Sequence, residues 1–385
     1  IIQIGSAFGS FTGQLAKLST RQKITLIAAG AGAGIAATFN APIGGLAFAI
    51  ELLLVTVNAR TVTLVALATV TATYISRFFS GIAPSFDVPD IAGFTDHVMS
   101  IYSLIFAVPL GILIGLVSAL FIYTIYALED WLKDRMVNAY LCHIAGMFVV
   151  GLMIYGFMRY AGHYYVAGVG YASILDVLKG VLSDPLFLLA LFAGKMLATG
   201  LTLGSGASGG IFSPSLFLGA CLGAAFGNGA MYLMPGAGID PVAYAIAGMA
   251  GMVSGTTGAV LTAIIIIFEQ TRDYAAMLPI ITCAALAYIV RAWITQESIY
   301  TYKLMRRGVH VPQGMESAVT AMIHAGGLMT TNFRCVDIAE FRSWQHFHHP
   351  GRQPRYTVVT MNGQIFGFAC DELLYMLRDH DVERV

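Results

Sequence analysis

The stretch Leu203-Gly-Ser-Gly-Ala-Ser-Gly-Gly-Ile-Phe-Ser-Pro214 interrupts a long apolar region of the chain. Its glycines and its proline disfavour a continuous helix, because glycine loses much backbone entropy on ordering and proline lacks an N–H. Yet the run from Met196 to Ile239 around it contains no Asp, Glu, Lys or Arg. Inside a membrane, a break of this kind is tolerated only where the freed backbone groups line a cavity or meet other protein.

A helix that restarts at Gly210–Pro214 would direct unpaired backbone N–H groups and the positive end of its dipole into that cavity. Pro214 suits the first turn, where a missing N–H costs no hydrogen bond. The sequence therefore predicts an anion site built from main-chain amides. Two other interpretations stay open here: a packing break between buried helices, and a phosphate-binding loop of a soluble enzyme, although no Lys-Ser/Thr pair follows the glycines.

The composition is that of a membrane protein. Of the 385 residues, 57% are hydrophobic and only 11% are charged, whereas soluble domains carry about 25% charged residues. We therefore expect an all-α polytopic membrane protein. The net charge of zero argues against nucleic acid as a partner. The cysteines have neither metal-ligand spacing nor a disulfide pattern: Cys142, Cys221, Cys283, Cys335 and Cys370. Because the chain opens at Ile1 in membrane-like sequence, we expect it to be part of a longer protein.

Charge-free runs mark the buried segments, and several exceed the roughly 20 residues that one straight span needs. Such runs must hold two shorter or tilted helices, separated by breaks at Phe39–Gly45, Met234–Gly238 and Gly255–Gly258. The runs are Ile24–Ile50, Thr61–Ser76, Ser100–Leu128, Asn138–Met158, Met196–Ile239, Pro241–Phe268 and Tyr274–Val290.

An internal repeat runs through the apolar part of the chain. A shift of 218 positions lays Gly5–Gly9 on Gly223–Gly227, Ala29-Gly30 on Ala247-Gly248, and Glu51 on Glu269. Transporters built from two related halves bind substrate where broken helices of both halves meet. Glycines of these helices (Gly30, Gly32, Gly34, Gly248 and Gly251) are predicted to be close helix–helix contacts.

The ionisable residues in apolar context leave alternatives open. Glu51 and Glu269 each end an apolar helix, and they lie either at the membrane interface or in a structural or dimer-facing position. Lys195 either raises the positive potential that an anion experiences or extends its ammonium group to the lipid headgroups.

The composition changes after Arg307, and we expect a transmembrane domain over residues 1–308 and a small α/β segment over residues 309–385. Two runs around Asn362-Gly363 predict a β-hairpin, and Asp371 is a plausible N-cap of a helix through Leu377. The cluster His346, His348 and His349 is either a metal site or a solvated loop, and no Cys or carboxylate completes a ligand set.

Several motifs together resemble the CLC family of chloride channels and chloride/proton antiporters. Gly204–Pro214 is similar to its GxFxP-type anion-binding motif, and Ala36–Glu51 to its next helix pair. Gln3–Gly5 resembles the residues that follow its GREGP motif, and Ser298–Leu304 resembles its last membrane element. The segment from Met329 to Leu377 resembles a single CBS repeat.

The resemblance implies a CLC fold, an inverted repeat of tilted and broken helices, that transports chloride, either alone or in exchange for protons, as a homodimer. The implied chloride-binding residues are Gly210, Ile211, Phe212, Ser213, Pro214 and Tyr300. The backbone N–H groups of Ile211 and Phe212 would meet the anion, and the Tyr300 hydroxyl would cap it from the cytoplasmic side. No cofactor and no metal is implied. Basic residues at Lys303, Arg306 and Arg307 predict a cytoplasmic tail, in a bacterial inner or plasma membrane.

Two departures from the family pattern concern gating and coupling. The gating glutamate belongs to GREGP, which would precede Ile1. Many antiporters of the family carry a proton-path glutamate directly after the residue that matches Glu51, and Leu52 stands there. Channel and antiporter therefore both stay open. The alternative function is a membrane-anchored CBS protein that senses an adenine nucleotide or ionic strength. No HExxH or Gly-x-Ser-x-Gly motif is present, so we do not expect an enzyme.

Overall fold

The computed structural model describes residues 1–54, 57–82, 86, 101–136, 138–234, 239–272, 274, 276–308, 333–337, 356–361 and 364–370. The chain divides into two compact units, residues 1–311 and 312–385. The helices of the first unit are α1 Ile2–Leu15, α2 Thr20–Phe39, α3 Pro42–Leu52, α4 Ala59–Ser80, α5 Ile101–Arg135, α6 Ala139–Ala161, α7 Tyr171–Leu178, α8 Pro185–Gly204, α9 Phe212–Leu233, α10 Pro241–Thr257, α11 Val260–Thr271, α12 Met277–Ile294 and α13 Ile299–Met305.

Within the described residues, six helical segments are long and apolar enough to cross a membrane, and the chain is an integral membrane protein. Two of the long charge-free runs hold two helices each, as predicted, whereas residues 101–128 of a third belong to the single helix α5. The run Ile24–Ile50 contains the larger part of α2 and most of α3, and Pro241–Phe268 contains α10 and most of α11. In both runs the first helix ends on a left-handed residue, Asn40 in one and Gly258 in the other.

The repeat recurs in the helix boundaries. α1 and α2 end 218 residues before α9 and α10 end, and α3 and α4 begin 218 residues before α11 and α12 begin. Glycines allow the first two helices of each half to meet backbone to backbone. A Cβ on Gly30 would come within 2.1 Å of the Gly5 carbonyl oxygen, and one on Gly248 within 2.3 Å of the Gly219 carbonyl oxygen. The predicted close contacts at these glycines are therefore confirmed.

The two halves run in opposite directions, as the carboxylates of Glu51 and Glu269 demonstrate. Glu269, near the end of α11, accepts hydrogen bonds from the backbone N–H groups of Ile43 (3.1 Å) and Gly44 (2.7 Å) in the first turn of α3. Glu51, near the end of α3, accepts them from Leu261 (3.1 Å) and Thr262 (2.8 Å) in the first turn of α11. Each helix therefore ends where the other begins, so the pair is antiparallel and the repeat is inverted.

The first unit is held together by hydrophobic clusters, of which two are extensive and a third is a small group around Ala28 and Val65. The larger core includes Phe39, Phe212 and Phe217, and the smaller core includes Leu110, Phe121 and Tyr244. Helices α9 and α10 contribute to both clusters, and most of their residues are buried. The central position of these two helices follows from their small residues, which let neighbouring helices pack closely on every side.

The second unit contains a three-stranded sheet in the order β1 Phe333–Asp337, β2 Tyr356–Met361, β3 Gln364–Cys370. β1 pairs in parallel with β2, and β2 pairs antiparallel with β3. The pairing of Met361 with Gln364 confirms the predicted hairpin around Asn362-Gly363. The helix predicted from Asp371 and the cluster His346, His348 and His349 lie outside the described residues, and the resemblance to a CBS repeat stays a prediction.

Candidate functional site: the start of helix α9

The break between α8 and α9 lies where the glycines predict it. α8 ends at Gly204, and Gly206 adopts a left-handed conformation with φ of 82°, which turns the chain away from the helix axis. α9 begins at Phe212 with Ile211 as its N-cap, so Pro214 lies in the first turn. The Ile211 carbonyl oxygen already accepts the first bond of the new helix, from the backbone N–H of Ser215 at 3.0 Å.

The backbone N–H groups from Gly210 to Ser213 are available for a ligand. No described residue accepts a hydrogen bond from any of these amides, and no side chain caps the helix. The neighbouring helices differ, because the Asp184 side chain caps the start of α8 and the Asp240 side chain caps the start of α10. The start of α9 thus combines unpaired amides with the positive end of a 22-residue helix.

The same fold already binds anionic groups at two other helix starts. The carboxylates of Glu51 and Glu269 each accept two backbone N–H bonds at the starts of α11 and α3. Of the alternatives for these two residues, the structural role is confirmed. A helix start occupied by the protein's own carboxylate has no capacity for a mobile anion. The start of α9 has that capacity.

Aromatic and hydroxyl side chains surround the first turn of α9. The Phe212 ring is buried and lies 4.8 Å from the Phe39 ring, between centroids, at the end of α2. The Tyr171 hydroxyl lies near the Ser213 side chain, next to the unpaired amides. Phe86 packs edge-on against Tyr171 at 5.5 Å between ring centroids. Tyr171 was not predicted as a site residue, because only the preceding Gly170 distinguishes its sequence context.

Tyr300 occupies the second position of the short helix α13, directly after the capping residue Ser298 and Ile299. Its side chain and that of Ile211 both pack against the smaller core, whereas Phe212 belongs to the larger core. The start of α9 therefore lies between the two clusters, and Tyr300 packs against the smaller one. Within the described part of the chain, no residue forms a hydrogen bond with the Tyr300 hydroxyl.

Lys195 contributes a buried positive charge beside α9. The residue is 2% exposed, and its Nζ donates to the carbonyl oxygens of Val166 (3.0 Å) and Gly168 (2.6 Å). The ammonium group also lies 5.2 Å from the centre of the Phe217 ring, one helical turn beyond Ser213. The hypothesis that Lys195 extends to the lipid headgroups is therefore wrong, because backbone carbonyls hold its ammonium group inside the protein.

Direct sequence similarity to a known family agrees with the helix breaks, the inverted repeat and the unpaired amides at the start of α9. A family model described as voltage gated chloride channel matches residues 1–292. The chain belongs to the CLC family. It is 32% identical over 302 residues to chloride channel protein CLC-f of Arabidopsis thaliana, an alignment that covers 74% of this chain and 38% of the relative. It is 30% identical over 323 residues to the H(+)/Cl(−) exchange transporter ClcA of Yersinia pestis, covering 80% of this chain and 63% of the relative.

The solved CLC structures show the same architecture. A slow cyanobacterial Cl−/H+ antiporter superposes with a TM-score of 0.70 at 30% identity, covering 80% of this chain and 70% of the antiporter. The CLC fold predicted from the motifs is thereby confirmed. The chain spans about two fifths to two thirds of the length of the two curated relatives it matches.

Proposed function

We propose that this CLC protein transports chloride across the membrane and binds the anion at the start of α9. The observation that carries the proposal is the row of unpaired amides from Gly210 to Ser213 at the head of a buried helix. Membership of the CLC family supports chloride as the anion, because the relatives it matches are named as chloride channels and chloride/proton exchangers. The function is transport, and no chemical conversion is proposed.

The chemistry of the site suits an ion that has to leave again. The amides of Ile211 and Phe212, with the hydroxyl groups of Ser213 and Tyr300, would replace the water molecules around chloride. Each of these donors is a dipole and none is a full charge, so they hold an anion more weakly than an arginine or lysine would. Pro214 adds no donor, and its ring favours the helical conformation of the first turn. The positive charge of Lys195 near Phe217 raises the local potential without touching the site.

Channel and antiporter both fit the residues of this chain. Leu52, the last residue of α3, stands at the position where many exchangers carry a proton-path glutamate, and an aliphatic side chain cannot carry a proton. The Yersinia and cyanobacterial relatives are nevertheless named as proton-coupled exchangers. We therefore propose chloride as the transported ion and leave protons to a direct measurement.

Liposomes that contain the full-length protein test both levels of the proposal. With potassium chloride inside, an impermeant anion outside and valinomycin to carry the balancing potassium, a chloride electrode should record efflux that is absent from protein-free liposomes. Equal efflux in the two preparations would refute chloride transport. In a second measurement, a chloride gradient is imposed and the pH outside is followed. Uphill proton movement would identify an antiporter, whereas chloride flux without proton movement would exclude one.

We further propose a homodimer in a bacterial inner membrane, with the tail after α13 in the cytoplasm. The basic residues Lys303, Arg306 and Arg307 at the end of α13 support the orientation, since positive charge concentrates on the cytoplasmic side. Chemical crosslinking in native membranes tests the dimer, and protease protection of inverted vesicles tests the tail. Calorimetry with ATP or AMP tests nucleotide binding by the tail, the alternative function.

A further inference from the structure

Arg291 is a buried cation in the last turn of α12, and only 2% of its surface is exposed. Its guanidinium donates three hydrogen bonds to backbone carbonyl oxygens: Nε to Gly255 at 2.8 Å, and Nη1 to Thr295 and Gln296 at 3.2 Å each. Neither of the two salt bridges in the described part of the chain includes it. Burial removes the guanidinium from water, and the three hydrogen bonds to carbonyl oxygens compensate for that loss. The arginine therefore stabilises the segments to which those carbonyls belong.

The three carbonyls join two helix ends. Gly255 lies in the last turn of α10, Thr295 is the C-cap of α12, and Gln296 begins the link from α12 to α13. The C-terminal ends of helices carry partial negative charge, and a nearby cation stabilises it. The rigid fork of the guanidinium reaches both ends at once, which an ammonium group on a flexible stem cannot do with the same geometry.

The link held by Arg291 leads directly to Tyr300. Helix α13 has only seven residues, too few to be stable without outside contacts. Two contacts with residues outside the helix fix its beginning: the Tyr126 hydroxyl donates to the Ile299 carbonyl oxygen at 2.7 Å, and Arg291 holds Gln296 on the other side of the cap. The position of the Tyr300 side chain therefore depends on the Arg291 guanidinium.

The first half of the repeat shows what the arginine adds. The Gly255 carbonyl corresponds to that of Ala37 at the offset of 218, and in the first half the Ser76 hydroxyl of α4 donates to Ala37 at 2.7 Å. A serine is thus sufficient to join the second and fourth helices of a half. The arginine makes the same contact and adds two bonds to the link that continues into the tyrosine helix.

We propose that Arg291 is a positioning residue of the anion site, which holds the α12–α13 link so that the Tyr300 hydroxyl reaches the anion at the start of α9. The inference rests on the proposed function, because it requires that Tyr300 contacts the bound anion. Arg291 itself contacts carbonyl oxygens and does not bind the anion.

A double-mutant cycle on chloride affinity tests this role. Isothermal titration calorimetry with chloride is carried out on the purified full-length protein as wild type, Arg291→Lys, Tyr300→Ala and the double variant. Arg291→Lys should weaken chloride affinity about tenfold, the effect of losing one hydrogen bond to a charged group. In the Tyr300→Ala background the same substitution should change affinity less than about twofold. Arg77→Lys is the matched control, since the Arg77 side chain donates to Asn40 in the first half and its loss should leave chloride affinity unchanged.

Each outcome either supports or overturns the positioning role of Arg291. An equal loss in both backgrounds would mean that Arg291 affects the anion by a route that does not include Tyr300, and unchanged affinity in a folded variant would mean that it does not position Tyr300; either result overturns the inference. Arg291→Gln buries no charge and is measured by the same criterion if the lysine variant fails to fold. Failure of both variants to fold would make Arg291 a residue of the fold alone and would overturn it as well. Unchanged affinity in Tyr300→Ala alone would instead refute the tyrosine contact in the proposed function.

Discussion

Replacing Glu269 by Gln should remove about 2–3 kcal/mol from the free energy of unfolding. The carboxylate accepts backbone N–H bonds from Ile43 and Gly44 at 3.1 and 2.7 Å. Glutamine keeps one acceptor oxygen, but its amide nitrogen would face the second N–H. The loss is therefore about one charge-assisted hydrogen bond, worth about 1.5–3 kcal/mol, together with an unsatisfied donor.

The partner substitution makes the prediction sharper. Glu51→Gln should cost a similar amount, because Glu51 also accepts the Thr262 hydroxyl at 2.7 Å but is more exposed than Glu269. The two caps lie at opposite ends of α3, which has 11 residues. At a rise of about 1.5 Å per residue they are roughly 15 Å apart, so the effects should add to about 5 kcal/mol within about 0.5 kcal/mol.

The assay is reversible unfolding in mixed detergent–SDS micelles, followed by circular dichroism. Glu129→Gln serves as the matched control, because Glu129 forms an ion pair with Lys133 one turn along the same helix and a pair of this kind should contribute less than about 0.5 kcal/mol. A Glu269→Gln variant as stable as the control would refute the argument that helix starts in this protein stabilise anionic groups. A double variant that loses no more than either single one would refute the two independent caps.

Three further predictions concern the site and its packing. Tyr300→Ala should weaken chloride affinity about tenfold in calorimetry while leaving measurable flux in liposomes, and an unchanged affinity would exclude the hydroxyl from the site. Tyr171→Phe removes the hydroxyl that lies near the Ser213 side chain, so the preference for chloride over nitrate in flux assays should fall; a preserved preference would show that the Tyr171 hydroxyl does not contribute to discrimination between anions. Gly248→Leu should prevent purification as a monodisperse protein, since a Cβ there would already come within 2.3 Å of a backbone oxygen, whereas Gly151→Ala, with nothing within 4 Å, should purify like the wild type.

The sequence predicted the helix breaks and the fold because glycine and proline act locally. Pro42 lies in the first turn of α3, Gly258 adopts the left-handed conformation that ends α10, and Gly204–Pro214 separates α8 from α9. Each of these effects depends on the backbone of one residue and its immediate neighbours, so no knowledge of the tertiary structure is required. The inverted repeat could be predicted for a related reason, since an offset of 218 is a property of the chain alone.

The contacts that complete the site could not be predicted, because they join residues far apart in the sequence. The offset matched Glu51 to Glu269 but could not reveal that each carboxylate binds the start of the other's helix. Uniformly apolar helices show no polar face, so nothing in the sequence indicated that Tyr171 meets Ser213 or that Arg291 joins α10 to the link before Tyr300. Lys195 was ambiguous for the same reason: its neighbours are apolar whether its ammonium group points to lipid or to backbone carbonyls.

The mutual caps of α3 and α11 also restrict motion. A displacement of one helical turn, about 5.4 Å, along their common axis would separate both carboxylates from their amides simultaneously. The two helices therefore cannot slide past each other without breaking both caps, and they move as one rigid body that connects the halves. Rearrangements that accompany ion passage then have to hinge elsewhere, and the glycine-rich connection from α8 to α9 is the segment with the backbone freedom to do so.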